Sequence, residues 1–528
     1  MADTADEISM TDLAEGVDVF FLLVCTVLVL MMQAGFALYE VGTIARTPVE
    51  VILIKNVMDA SIAYAAWFAF GSMFAGEGNR FIGWADAGPF LRGDEYDGDD
   101  NSLPFMRFIF FAMYAGTAVT VMSGSVADRV PYLLYAIYAI WTCAFTYPVV
   151  QHWAWSPDGW MSPVVGAVGN CGVLDFAGSG VVHLFAGAAS FVWAYLLPAR
   201  RGRFVKENDR VTTVNYGAGF NALDRTQQAL GVFLLWLGWY GFNCGSALSI
   251  TSRNSSKIVS IAAVNTTIAP VVCCLTSIAI EWAYFKNWLG VRRKFAMWDE
   301  NERARNGDDR EQRDLHSAAI NGILSGLVAI TAGCATTDPR LTMVCGIVAA
   351  FIYHYSYRLQ LHHGLDDAVN AVPVHLWCGV WGLLSAALMF SRERHDMVMT
   401  AYGVDESRGT CGRADQIFAN LAFAVVVVAW VSGCCVILGH AQATSTVKEP
   451  EEHSTKQTRC PEKQSHQLKL NQKWHARLPE AAKGCPPRPH PRRLSSTCSR
   501  VLHRLLSTFR SVSFSSRRWN LSTTAFCP

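Results

Sequence analysis

The chain has 528 residues, of which 51 % are hydrophobic and 16 % charged, and its formal net charge is +1. Soluble domains carry about 25 % charged residues, so this composition excludes an ordinary soluble protein. We expect no nucleic-acid partner. The hydrophobic residues are concentrated between about residues 17 and 440.

This region contains eleven apolar runs, each long enough to cross a bilayer as a helix. Since only helices and closed barrels satisfy the backbone in lipid, the runs predict an all-α polytopic membrane protein with eleven transmembrane helices. The runs cover residues 17–39, 52–74, 105–126, 132–151, 175–197, 229–249, 258–284, 316–336, 341–360, 368–390 and 416–439.

The charges of the connecting loops predict the orientation, because cytosolic loops are enriched in Lys and Arg. The 198–228 and 285–315 loops are basic and fall on one side, which we take as cytosolic, whereas the 75–104 loop on the other side is acidic. An odd number of spans then places the amino terminus outside and the carboxyl terminus in the cytosol. The charges concerned are Arg200, Arg201, Arg203, Lys206, Arg210, Arg225, Lys286, Arg292, Arg293, Lys294, Asp94, Glu95, Asp97, Asp99 and Asp100.

The two ends of the chain differ in character from the apolar region. The first residues are acidic, without the basic segment of a cleaved signal peptide. Residues 446–528 contain sixteen Lys/Arg and five Asp/Glu among Pro and Ser clusters, which predicts a disordered basic tail. We therefore expect an extracellular segment 1–16, a helical domain 17–440 and a cytosolic tail 441–528.

The sixteen cysteines include no CxxC pair and no metal-ligand spacing. Most lie inside apolar runs, so we expect small packing residues rather than metal ligands or disulfides.

Two segments share one pattern, an aspartate followed after seven mostly small or apolar residues by a histidine. The first runs from Asp175 to His183 and the second from Asp367 to His375. Each opens an apolar run, and the predicted topology makes the two runs enter from opposite faces. Eight residues at ~1.5 Å each carry a histidine ~12 Å into a slab ~30 Å thick. Both imidazoles are therefore expected near the midplane, where transporters built of inverted halves bind their substrates.

Other interpretations of these residues remain open. A lone histidine in a span is usually a neutral core residue, but two at matched depth favour a function. Ligation of a haem by the pair is a further interpretation, although nothing else in the chain indicates an oxidoreductase. Asp175 is placed to cap the helix that follows it, and it also suits the support of a cation site near the pore mouth.

Four ordered motifs between residues 17 and 440 resemble the ammonium transporter family (Amt/Mep/Rh), and its Amt branch most. The segment from Asp175 through His183 to Arg200 resembles the family signature. The other three motifs span residues 32–40, 238–246 and 366–382.

The resemblance implies an eleven-helix fold in which spans 1–5 and 6–10 form a 5+5 inverted repeat, with one extra helix. It also implies a homotrimer with one pore per subunit, and we expect the protein in the plasma membrane. By motif, His183 and His375 match the twin pore histidines. Tyr114, Trp155 and Ser246 match the outer ammonium-binding site, with Trp160 as an alternative to Trp155. Phe110 and Phe242 match a gate of stacked rings, and Asp175 matches the residue that supports the site.

The sequence departs from the family pattern at several places. Tyr114 stands where many members have phenylalanine, Asn370 where many have aspartate, and Ala368 where proline is common. The family's cytosolic carboxy-terminal motif is replaced by the basic tail, which puts its intersubunit regulation in doubt.

These observations predict a transporter or channel for ammonium, with methylammonium as a further substrate, the lipid bilayer as surroundings and no enzymatic activity, cofactor or metal. The alternatives are an ammonium sensor that signals through its tail and a neutral gas channel of the Rh type.

Overall fold

The fold was determined as a computed structural model. It describes residues 9–45, 47–84, 88–92, 96, 102–207, 210–214, 220, 222–285, 307–404 and 411–446. Residues 93–95 and 97–101, which hold the acidic charges Asp94 to Asp100, the basic residues 286–306 and the predicted tail beyond residue 446 lie outside the described residues.

The described chain is a bundle of helices with one short hairpin. The helices are α1 (Met10–Thr43), α2 (Val49–Ala75), α3 (Leu103–Val126), α4 (Tyr132–Trp155), α5 (Ser179–Leu196), α6 (Arg225–Gly245), α7 (Ser255–Phe285), α8 (Gly307–Thr331), α9 (Pro339–His362), α10 (Val372–Met389), α11 (Arg392–Ala401) and α12 (Arg413–Thr446). Strands β1 (Phe204–Glu207) and β2 (Arg210–Val214) pair antiparallel between α5 and α6.

Each of the eleven predicted runs coincides with a helix, but the count of eleven membrane spans is not confirmed. Within the described residues, eight helices are long and apolar enough to cross a membrane: α1, α2, α3, α4, α5, α7, α10 and α12. The remaining long helices, α6, α8 and α9, have 21, 25 and 24 residues and contain more polar side chains. The short α11 was not predicted.

Large apolar side chains are exposed around the bundle. Phe20, Val57, Leu275 and Val425 are 66 %, 67 %, 62 % and 69 % exposed. In water such surfaces would be costly, whereas in lipid or against another subunit they are not. The exposed ring of apolar side chains agrees with an integral membrane protein.

Helices α1 and α6, the first helix of each half, pack through small residues. A Cβ atom on Gly35 would lie 2.9 Å from the carbonyl oxygen of Gly231, and one on Gly231 would lie 2.6 Å from the backbone nitrogen of Tyr39. Close contact between helix backbones is a common means of association in lipid. These glycines therefore fix the distance between the two halves.

The expectation that cysteines would not form disulfides is wrong for one pair. Cys171 and Cys411 are bonded to each other, with their Cα atoms 5.3 Å apart. They are 240 residues apart in sequence and both lie outside the apolar runs, so their spacing gave no sign of the pairing. The ten other described cysteines are free, and nine of them are buried as expected of packing residues.

An ion cluster joins the loops on the predicted cytosolic face. Arg200 donates from its Nη2 and Nε atoms to Asp366 at 2.7 and 2.8 Å, and Arg129 donates to the carbonyl oxygen of Asp366. Burial raises the pKa of Asp366, but the hydrogen bonds and charge of Arg200 outweigh it, so this pKa is lowered. The signature residue Arg200 thus holds the loop that leads into α10.

We expect Gly35→Leu to destabilise the protein, because the new side chain would meet the backbone of α6. Overpacking of this kind costs about 1–3 kcal/mol or more. Gly16→Leu in the same helix is the control, since a Cβ there has nothing within 4 Å. Thermal unfolding in detergent measures both variants, and equal midpoints would contradict the packing argument.

Candidate functional site

A cavity of 320 Å³ lies between α2, α3, α4 and α6, at the end of the bundle where α3 begins. Its wall includes the aromatic rings of Trp67, Phe111, Trp155 and Phe176, and the side chain of Ser246. Aromatic faces attract cations by about 0.5–2 kcal/mol each. The composition of this wall suits a small organic or inorganic cation that has lost part of its water.

The structure places Trp155, rather than Trp160, at this cavity. The indole Nε1 of Trp155 donates to the carbonyl oxygen of Asp175 at 2.8 Å, and its ring lies 5.9 Å from that of Tyr114. Trp160 instead packs edge-on against Trp153, with ring centroids 5.9 Å apart. The hydrogen bond from Trp155 fixes the ring beside the start of α5.

Beneath the cavity the path is closed by two stacked rings, Tyr114 and Phe242. Their centroids are 3.9 Å apart, their planes differ by 15°, and neither side chain is exposed. The hydroxyl of Tyr114 donates to the carbonyl oxygen of Phe242 at 2.6 Å and lies 2.8 Å from the Oγ of Ser246. The stack is therefore held by hydrogen bonds between α3 and α6 as well as by ring contact.

This arrangement corrects the expected ring pair of Phe110 and Phe242. Phe110 precedes Tyr114 by one helical turn, and its ring lies 4.9 Å from that of Tyr114 at 55°. A Cβ on Gly245 would lie 2.6 Å from the Phe110 ring, so Phe110 faces Gly245 rather than Phe242. The ring that stacks on Phe242 is thus that of Tyr114, one helical turn after Phe110.

His183 and His375, the two histidines of the shared pattern, are brought together in the interior. Their Nδ1 atoms are 3.3 Å apart and their rings are inclined by 29°. His183 is fully buried and His375 is 6 % exposed. Since an Nδ1–Nδ1 hydrogen bond needs one donor and one acceptor, the neutral pair must hold two different tautomers.

The pair lies directly below the constriction. The His183 ring stacks on Trp239 at 4.9 Å and 19°, and on Phe242 at 5.6 Å and 29°. The indole Nε1 of Trp239 donates to Thr331 at 2.9 Å, which fixes that ring. The Nε2 atom of His183 has no hydrogen-bond partner among the described residues. One face of the imidazole pair is therefore apolar and aromatic.

The direct contact of the two rings argues against haem ligation by this pair. Two axial histidines hold their nitrogens on opposite faces of a porphyrin, whereas these nitrogens are within hydrogen-bond distance of each other. Among the described residues, no group of three or more His, Cys, Asp or Glu side chains is arranged to hold a metal ion.

Both histidines lie in π-helical turns, at Ser179–Leu184 and Val372–Trp377. Such turns are rare and occur frequently at functional sites. An aspartate caps the amides at the start of each turn. Asp175 accepts from Gly178, Gly180 and Val181 at 3.1, 2.9 and 2.8 Å, and Asp367 accepts from Val369 and Val372 at 3.2 and 2.7 Å.

The backbone conformation just before each π-helical turn is also alike in the two segments. Gly178 and Asn370, each three residues after its aspartate, have φ of +104° and +61°. Asparagine and glycine tolerate this left-handed conformation better than other residues. Although Asn370 departs from the family pattern, it therefore still adopts the backbone conformation that the cap requires.

Helices α5 and α10 meet at reciprocal glycines, each four residues after a histidine. A Cβ on Gly187 would lie 2.1 Å from the backbone nitrogen of Leu376, and one on Gly379 would lie 2.9 Å from that of Leu184. The same contact made in both directions is what an inverted pair of helices produces. These glycines allow the backbones to approach until the imidazoles touch.

Two residues at the site were not assigned from the sequence. Asp367 forms the same cap as Asp175. The two aspartate–histidine patterns are alike, and this likeness is enough to predict the second cap from the first. Trp239 lies within the recognised motif 238–246, but nothing in that motif indicates that its ring faces His183.

An aromatic outer cavity, a constriction of stacked rings and a buried imidazole pair follow one another inside a single helical subunit. These features define a membrane transport protein with its path inside the subunit. The model of the Ammonium Transporter Family matches residues 20–291 and 312–455, which is more than half of the chain. The chain belongs to that family.

Similar proteins come from different kingdoms. The chain is 35 % identical over 377 residues to the ammonium transporter Amt2 of Archaeoglobus fulgidus, covering 70 % of this chain and 71 % of that protein. It is 33 % identical over 435 residues to ammonium transporter 1 member 3 of Oryza sativa subsp. japonica, covering 80 % of each. The crystal structure of Candida albicans Mep2 has the same fold, with a TM-score of 0.64, 21 % identity and coverage of 85 % and 88 %.

We expect Asp175→Ala to lower stability more than Asp224→Ala, because Asp175 is buried. Each buried amide left without an acceptor costs about 1–3 kcal/mol. Asp224 caps α6 at an exposed end, accepting from Thr226 and Gln227, and loss of such a cap costs about 1 kcal/mol. Thermal unfolding in detergent compares the two, and an equal or larger loss for Asp224→Ala would show that the buried cap is not needed.

Proposed function

We propose that this protein is an ammonium transporter that takes up ammonium at the outer cavity and passes it through the constriction and along the two histidines. The main support for this proposal is the contact of His183 with His375. A buried imidazole pair below an aromatic cavity suits a substrate that gives up a proton. Tyr114 and Phe242 act as the gate, Trp155 and Ser246 border the binding site, and Asp175 supports it.

The energetics favour separation of the proton from ammonia. Moving an ammonium-sized ion into a medium of low dielectric constant has an idealised cost of order 20 kcal/mol, and still several kcal/mol after relaxation. A few aromatic contacts at about 0.5–2 kcal/mol each do not compensate for this along the whole path. We infer that ammonium loses its proton near the gate and crosses as ammonia, with imidazole as the first proton acceptor.

The proposed orientation places the amino terminus outside and the carboxyl terminus in the cytosol of a plasma membrane. The basic residues of the 198–228 loop favour the cytosol for that face. The disulfide between Cys171 and Cys411 joins segments of the opposite face, and disulfides persist in oxidising surroundings such as the cell exterior. Charge and redox chemistry thus favour the same orientation.

We further propose a homotrimer in the lipid bilayer with one path per subunit. The cavity, the rings and the histidines all come from helices of a single chain, so no second subunit is needed to complete the path. Methylammonium is the expected second substrate, because one methyl group keeps the charge and adds little volume.

Transport is favoured over sensing because the residues form a sequence of steps through the subunit rather than one binding pocket. The aromatic cavity favours cation uptake over a neutral gas channel. Ammonium flux into liposomes that contain the purified protein tests the proposal, and binding without flux would instead identify a sensor.

We expect His183→Ala, His375→Ala and the double variant to disturb transport to a similar extent, because the two rings act as one hydrogen-bonded unit. Removing both should add little to the more severe single change, since coupled groups are not additive. Flux and charge movement are measured on assembled protein in liposomes. If all three variants keep the flux, charge movement and ion selectivity of the unchanged protein, both histidines are core residues without a role in transport.

We expect Tyr114→Phe to raise the rate of uptake, because it keeps the stacked ring and removes the hydrogen bond that holds the gate closed. One net hydrogen bond is worth about 0.5–1.5 kcal/mol, which corresponds to roughly twofold to tenfold in the population of the open gate. Tyr240→Phe in α6 is the control, since its hydroxyl bonds to the exposed Thr267. An unchanged rate for Tyr114→Phe would mean that opening of the stack does not limit transport.

A further inference from the structure

Three ionisable side chains are buried together beside the path, Glu40 of α1 with Lys55 and Asp59 of α2. They are 2 %, 4 % and 0 % exposed. The Nζ of Lys55 lies 3.0 and 3.2 Å from the carboxylate oxygens of Glu40 and 3.5 Å from Asp59. Nothing described so far gives this cluster a role in transport.

The cluster holds more negative than positive charge. Two carboxylates share one ammonium, and the other close partners are neutral. Buried charge without a counter-charge is costly, so a cluster with one surplus negative charge readily accepts a proton. The neutral partners are Asn56, which donates to Glu40 at 2.8 Å, Ser123, which donates to Asp59 at 2.8 Å, and the ring of Tyr135, whose centroid is 5.6 Å from Lys55.

On one side the cluster faces the histidines. Glu40 and His375 line the same small cavity of 20 Å³, together with Thr120. This volume suffices for one water molecule, which needs about 10–15 Å³. A Cβ on Gly124 would lie 2.7 Å from the Glu40 carboxylate, so the glycine leaves the space that the carboxylate occupies.

On the other side the cluster faces the loops at which α1 and α3 end. Lys55 and Ser123 line a second cavity of 270 Å³, whose wall continues to Asp128 and Arg129 of the loop between α3 and α4. Lys55 joins the two sides, because its Nζ lies 3.0 Å from the carboxylate of Glu40 and donates to the Oγ of Ser123 at 2.6 Å. By the proposed orientation this second cavity is on the cytosolic face.

We propose that Glu40 and Lys55, with Asp59 as the fixed counter-charge of Lys55, form the route by which the proton leaves the histidines for the cytosolic face, separately from ammonia. This rests on the proposed function, in which ammonium gives its proton to the imidazole pair. The proton route branches from the ammonia path at His375 and passes between α1, α2 and α3.

Each transfer along the route leaves the charges balanced. Imidazolium at His375 gives its proton, through one water, to the carboxylate of Glu40, which becomes a carboxylic acid. Lys55 gives a proton to the hydroxyl of Ser123, which passes its own proton to water in the larger cavity, and the neutral amine of Lys55 then takes the proton of Glu40. One proton has crossed, both side chains have regained their charges, and Asp59 has stayed ionised beside Lys55.

The test measures ammonium uptake and charge movement in liposomes with the full chain. Glu40→Gln keeps the shape of the side chain but does not accept a proton, so we expect the charge moved per ammonium nitrogen to fall at least tenfold. Asp18→Asn is the matched control, because Asp18 is also a buried carboxylate of α1 but bonds to Ile250 and Thr251 far along the chain. Its charge ratio should stay within twofold of the unchanged protein.

A second variant covers the case that Glu40→Gln does not assemble. Ser123→Ala removes the hydroxyl between Lys55 and Asp59 without changing any charge, and we expect charge movement to fall severalfold. An unchanged charge ratio in an assembled Glu40→Gln protein, or in Ser123→Ala if the former does not assemble, overturns the route. Uptake without any charge movement in the unchanged protein also overturns it while ammonium transport stands, whereas absence of uptake rejects the proposed function itself.

Discussion

The structure depends on one close contact, the approach of α5 and α10 at Gly187 and Gly379. Any side chain at either position would meet the backbone of the other helix, and the imidazoles would then separate. The contact in turn requires that each helix begin at the right depth, which the caps of Asp175 and Asp367 determine. The remaining features of the site, including the stacked rings above and the small cavity below, are arranged around this crossing.

The surroundings of the two histidines differ in one main respect, the carboxylate of Glu40 on the side of His375. Towards the outer cavity, His183 is covered by Trp239 and Phe242. On the opposite side, His375 borders a cavity that reaches Glu40 and Thr120. An apolar neighbour disfavours a charged species, whereas a carboxylate stabilises a cation. The same pair therefore meets two different environments, and a proton and a neutral molecule need not leave it in the same direction.

Local patterns predicted the site where a single segment determines the geometry. The shared seven-residue interval singled out His183 and His375, which lie in contact, and the small residues predicted close packing. Contacts between segments that are far apart in the chain could not be predicted from the sequence. Phe110 was expected to face Phe242, but the register of α3 against α6 depends on the space left by Gly245. Cys171 and Cys411 pair across 240 residues, and Glu40 is a single carboxylate whose partners on other helices give no signal in its own segment.

The π-helical turns add a constraint of another kind. A wide turn contains one residue more than an α-helical turn, so each of these helices carries the equivalent of a one-residue insertion at its histidine. Removing one residue there would restore a regular α-helical turn and take away the widened turn in which the histidine lies. At Ser179–Leu184 and Val372–Trp377, the number of residues is thus constrained as well as their chemistry.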